Sequence, residues 1–146
     1  MKPTVTQNDR INDLIDVFVY GSLKPGEFNY NRFCLGRTIE ELPACALGEL
    51  YSLSLGYPAM TTGTRWVSGV ILSFTDPSLL ADLDRLEDYQ SDRPPEQNQY
   101  QRRRILTYTP DQKPLRETWA YFMYPQVVSS FQGVLIPSGD WKPSYN

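Results

Sequence analysis

Histidine is absent from all 146 residues. That excludes serine–histidine and cysteine–histidine catalytic pairs and metal sites built on imidazole, so proton transfer near neutral pH falls to Asp, Glu, Tyr, Lys or Cys. Cysteine is scarce: Cys34 and Cys45 are the two present and form no CxxC pair. Two lone thiols do not complete a four-ligand zinc site, and they read as buried structural thiols of a reducing, cytoplasmic compartment. Long apolar runs are missing as well, and the polar stretch MKPTVTQNDRINDLID carries no basic segment leading into an apolar one. Neither a membrane anchor nor a signal peptide is expected. Basic charge is not in excess, with 14 Lys and Arg against 17 Asp and Glu and a formal net charge of -3. A field of that sign repels polyanions, so nucleic acid is not an expected partner. The single basic run, Arg102-Arg103-Arg104, precedes a strand pattern and reads as an exposed strand face guarded by charge.

What the sequence does contain suits one domain over residues 17–146, preceded by a polar extension over residues 1–16. A chain this long buries roughly 70% of the surface its unfolded form exposes, enough for a core with an internal cavity. Five runs rich in Val, Ile, Phe, Tyr or Trp predict strands: Val17 to Tyr20, Ala46 to Leu53, Val67 to Phe74, Arg103 to Tyr108 and Thr118 to Tyr124. Asn29 to Leu35 predicts a short helix that Gly36 ends. The segment QSDRPPEQNQ, Gln90 to Gln99, has no apolar residue and reads as a solvent loop or the rim of a site. Near the C-terminus, SGDW reads as an ordered turn that plants Trp141, followed by a loose end.

The main helix is predicted over Pro77 to Tyr89, with Asp76 as N-cap and Pro77 at N1, where its missing N–H is harmless. Advancing about 100° per residue from Leu79 groups Leu79, Leu80, Leu83 and Leu86 on one face and sends Asp82, Arg85 and Asp88 to the other. Asp84 falls at the margin, within reach of water. Glu87 is misplaced: it lies at about 80°, between Leu83 and Leu80, and points into the apolar stripe. Three readings fit such a glutamate. The helix frays and the side chain swings out; an arginine pairs with it; or it is a catalytic acid/base whose burial raises its proton affinity toward neutrality.

VFVYGSLKPG raises a second question, because a buried strand stops at Tyr20 and runs straight into Gly21 and Ser22. Glycine there opens backbone conformations denied to other residues and removes side-chain bulk, so the N–H groups of Gly21, Ser22 and Leu23 can converge on an anion. An ordinary tight turn fits the same residues. Neither a dinucleotide fingerprint nor a P-loop is present.

VFVYGSLKPG, GELYSL, GYPAM, GVILSF, LDRLEDY, YQRRRILTY, WAYFMY and SGDW, in that order, resemble the gamma-glutamylcyclotransferase-like superfamily, in particular its compact branch that includes gamma-glutamylamine cyclotransferases. The resemblance runs from Val17 to Trp141. Ser22 and Lys24 stand where many relatives carry Thr and Arg, which keeps donor type and charge sign. The resemblance implies a mixed α/β fold around a small curled β-barrel of about five to seven strands with one main helix. It further implies a substrate-binding loop at Tyr20, Gly21, Ser22 and Leu23, and Glu87 as the catalytic acid/base. The reaction it implies needs no metal or cofactor: the α-amine of a small γ-glutamyl substrate attacks its own γ-carbonyl and releases 5-oxoproline and an amine. Tyr100 and Tyr121 are further candidate substrate contacts, although among ten tyrosines each is better suited to packing. A binding module of the same fold without turnover is the alternative.

Overall fold

The computed structural model describes residues 14–143. Most of the expected N-terminal extension, residues 1–13, and the last three residues of the expected loose end lie outside the described residues. Among the described residues the strands are β1 (Ile15–Val19), β2 (Glu40–Ser52), β3 (Pro58–Phe74), β4 (Gln101–Tyr108), β5 (Pro114–Phe122) and β6 (Val134–Leu135). The main helix is α1 (Pro77–Leu86), and α2 (Pro125–Ser130) is a short second one. A π-helical turn, Tyr30–Cys34, stands where the short helix was expected, and Leu35 N–H reaches back to Tyr30 O.

Sheet order is β3-β1-β5-β4-β2-β6, and β2 pairs with β3 as well. Five strands therefore close into a ring of hydrogen bonds, with β6 attached outside on β2. The mixed α/β class with a curled, closed sheet and one main helix agrees with the sequence reading. Closure leans on one long hairpin: β2 and β3 run antiparallel over their full lengths, whereas β1 meets β5 through Val17 and Trp119 and β2 meets β4 through Cys45 and Tyr108.

Several strands are longer than their apolar runs. β3 starts at Pro58 rather than Val67, because Pro58 to Thr61 pair with Glu49 to Ser52 of β2, while exposed Thr62 to Thr64 lie between Thr61 and Arg65 without ladder partners on β2. Register slips between Gly48 and Glu49 in that stretch. A Cβ on Gly48 would lie 2.8 Å from Thr61 O, so glycine is needed where the bulge brings the strands close. The polar sequence hides the strand, but the backbone pairing does not depend on it.

Both faces of β1 are buried. Phe18 and Tyr20 join Ala46, Leu50, Met60, Val67, Ile71 and Phe122 in one cluster. Val17 and Val19 join Leu72 and Phe74 on the other side, beneath Leu79 and Leu83 of α1. Period-two alternation in β1 thus feeds two cores at once. Its C-terminal end is where the loop begins and where the end of α1 arrives. No helix among the described residues is long and apolar enough to cross a membrane.

Candidate active site

Beyond β1 the chain turns tightly, with Lys24 N–H donating to Gly21 O and Tyr30 N–H to Ser22 O, each at 3.0 Å. The N–H groups of Gly21, Ser22 and Leu23 donate to no backbone carbonyl among the described residues. Gly21 does not use the special backbone freedom the sequence suggested; the positive φ falls at Gly26, at 89°. Its lack of a side chain matters instead, since a Cβ would sit 2.7 Å from Pro58 Cγ. Lys24 secures the loop from outside, donating to Trp141 O at 2.7 Å, and Trp141 is buried as expected.

Helix α1 opens as predicted, with Asp76 accepting from Ser78 N–H and Pro77 in the first turn. It closes earlier, at Leu86, with Glu87 as C-cap. Asp88 takes a left-handed φ of 54°; its N–H bonds Arg85 O, and Tyr89 N–H bonds Asp84 O at 2.9 Å. This is a Schellman closure, which ends the helix without freeing Glu87: its own N–H still bonds Leu83 O at 2.9 Å. The side chain accordingly does not swing away into solvent. It lines a cavity.

An arginine is close by, but it pairs with the neighbouring acid. Arg102 Nη1 donates to Asp84 Oδ2 at 2.9 Å, and Tyr121 Oη donates to Asp84 Oδ1 at 2.7 Å. Asp84, expected at the wet margin, is mostly buried, and so is Arg102. Arg102 therefore departs from the reading of the basic run as surface charge, which Arg103 and Arg104 do fit. Its guanidinium lies over the Trp119 ring at 4.5 Å and the Tyr89 ring at 5.4 Å. No salt bridge forms to Glu87 among the described residues. Burial, followed by the nearby charge of Asp84, pushes the Glu87 carboxyl up to about 8.

The cavity has a volume of about 260 Å³. Tyr20, Gly21, Ser22 and Leu23 line it with Glu87, Tyr100 and Tyr121, so all seven residues singled out from sequence share one concavity. Tyr20 Oη donates to Tyr121 O at 2.8 Å and accepts from Met60 N–H, tying its hydroxyl to backbone on both sides. Burial raises the proton affinity of Tyr20, Tyr100 and Tyr121, so none of the three phenols is a base near neutrality. Glu87 is the lining group whose proton affinity lies near neutrality. Neither lysine nor arginine is among the lining residues. Among the described residues no cluster of His, Cys, Asp and Glu has the arrangement of a metal site.

The family model for gamma-glutamyl cyclotransferase, AIG2-like, matches residues 17–143. The chain belongs to this family. Its fold is shared with an AIG2-like protein from Mus musculus, at 19% identity and a TM-score of 0.65 over 88% of each chain. YtfP from Escherichia coli is 29% identical with a TM-score of 0.57, over 87% of this chain and 96% of that one. YkqA from Bacillus subtilis aligns at 22% identity and a TM-score of 0.61 over 88% of this chain, which spans only 39% of YkqA. No protein with a curated description matches the chain.

Besides Phe18 and Val19 at the end of β1, five further residues of this AIG2-like chain line the cavity without having been named as site candidates: Asn29, Tyr57, Pro58, Leu86 and Gln99. Tyr57-Pro58 reads as a turn in sequence, yet the hairpin tip folds Pro58 against Gly21. Gln99 closes the polar insert and donates to Tyr57 Oη at 2.8 Å. Asn98 anchors that insert, accepting from Gln90 N–H and donating to Gln90 O. Its burial at 5% exposure inside a wholly polar segment is the signal available only once the chain is folded.

Proposed function

We propose that the protein is a cofactor-independent cyclotransferase that releases 5-oxoproline from a γ-glutamyl amine or γ-glutamyl peptide. The Glu87 carboxylate takes a proton from the substrate's α-ammonium. The freed amine attacks the carbon of the γ-carbonyl, forming the new C–N bond, and electrons move onto the carbonyl oxygen. The N–H groups of Gly21 to Leu23 receive that oxyanion. Collapse of the tetrahedral intermediate breaks the bond to the departing nitrogen, which takes the proton back from Glu87, and Glu87 then passes the second proton of the new ring nitrogen to the expelled amine, leaving a neutral lactam and an ammonium. One carboxyl serves these transfers, and a cavity that holds the substrate chain folded brings amine and carbonyl together.

The observation that carries this reading is a carboxyl pushed up to about 8, without an ionic partner among the described residues, in the same cavity as loop N–H groups that donate to no backbone carbonyl there. Membership of the gamma-glutamyl cyclotransferase, AIG2-like family supports it. The test is to incubate purified protein with a panel of γ-glutamyl amines and γ-glutamyl amino acids and assay 5-oxoproline. Wild type should turn over at least one of them, and Glu87→Gln should lose about 10² to 10⁴ in rate. Undiminished activity in Glu87→Gln would rule out the mechanism, and binding without product would favour a non-catalytic domain.

A further inference from the structure

Hydrogen-bond direction separates donors from acceptors among the polar groups of the cavity wall. On the loop side, the N–H groups of Gly21, Ser22 and Leu23 are donors. Asn29 Nδ2 donates to Ser22 Oγ at 2.7 Å, which leaves the Ser22 hydroxyl hydrogen available as another. Elsewhere in the lining two phenols have already spent their hydrogens: Tyr100 Oη donates to Pro58 O at 2.8 Å, and Tyr121 Oη donates to Asp84 Oδ1 at 2.7 Å. Lone pairs are what each phenol oxygen has left to offer.

For Tyr121 this polarity is imposed by an ion pair. Asp84 Oδ2 is held by Arg102 at 2.9 Å, and Arg102 is held in turn between the Trp119 and Tyr89 rings. A carboxylate so paired is an acceptor only, so the Tyr121 hydrogen has one place to go. We propose that Asp84, fixed by Arg102, is a positioning residue that presents the Tyr121 oxygen to the cavity as an acceptor, so that this oxygen and Glu87 together receive the α-ammonium of the substrate. The inference rests on the cyclotransferase reading and adds to it a specificity element for the ammonium group.

Binding of an inert ligand tests it without turnover. L-methionine sulfone carries a tetrahedral sulfur in place of the carbon of the γ-carbonyl and has no amine to expel; 4-(methylsulfonyl)butanoate is the same molecule without its ammonium. Calorimetry at neutral pH should show wild type preferring the amino ligand by about 10- to 100-fold, the range for a hydrogen bond to a charged group. In Asp84→Asn the amide oxygen goes to Arg102 and the amide N–H faces Tyr121, which turns the phenol hydrogen toward the ammonium. That variant should lose most of the preference. Tyr121→Phe keeps the Asp84–Arg102 pair and removes only the acceptor; it should lose the preference as well, and it decides the matter where Asp84→Asn does not fold. Preference retained in full by either folded variant, even with a lowered Tm, would make the cluster purely structural and overturn the proposal. Turnover of γ-glutamyl amines by a wild type without the preference would overturn the positioning role alone, whereas the preference without 5-oxoproline would overturn the cyclotransferase reading alone.

Discussion

Glu87→Gln should make the protein more stable, and only above a definable pH. In the unfolded chain the carboxyl titrates near 4.5; in the folded protein burial, and then Asp84, raise it to about 8. Below 4.5 it is neutral in both states and contributes nothing. Between 4.5 and about 8 the unfolded chain gives up a proton that the folded protein keeps, so stability falls as pH rises and levels off above about 8. At about 1.4 kcal/mol per unit the ceiling is about 5 kcal/mol. The side chain borders an open cavity and is only half-buried, and screening there reduces the figure to about 2–4 kcal/mol. For a domain of this size that is about 5–15 °C in Tm. Thermal melts of wild type and variant across the interval would measure it: curves that meet in acid should separate with rising pH, the variant melting higher at about pH 9. Parallel profiles would refute the raised proton affinity, and a variant less stable at high pH would mean that Glu87 has an ionic partner.

Two stability effects follow from packing. Leu83 has no exposed surface, so Leu83→Ala should cost about 2–5 kcal/mol in a denaturant titration; a loss under about 1 kcal/mol would mean that the helix stripe is not the core of the fold. Gly21→Ala places a methyl 2.7 Å from Pro58 Cγ and should cost about 1–3 kcal/mol, with loss of activity as the loop shifts; a fully active, equally stable variant would show that the close approach of loop and hairpin tip is not required.

The helix and the loop are legible in the sequence because local chemistry specifies them. Asp76, Pro77 and the leucine spacing define α1, and Glu87 stands out because it breaks that spacing. Its final direction depends on the Schellman closure at Asp88, a residue whose left-handed backbone no periodicity announces. Of the three readings of Glu87, an arginine pair belongs instead to Asp84, which meets Arg102 from a strand remote in the chain. Tyr57 and Pro58 escape for the same reason, and Gln99 is foreshadowed only as part of an insert that reads as a solvent loop or the rim of a site. They reach the cavity through hairpin pairing and through an insert pinned by Asn98, and both are long-range contacts.

The central claim is that a carboxyl of raised proton affinity moves the reacting proton. The pH dependence of kcat/KM for 5-oxoproline release tests it most directly. The account predicts an acid limb with its midpoint near about 8, rate rising as Glu87 ionises. A midpoint in the ordinary carboxylate range, near 4.5, would contradict it.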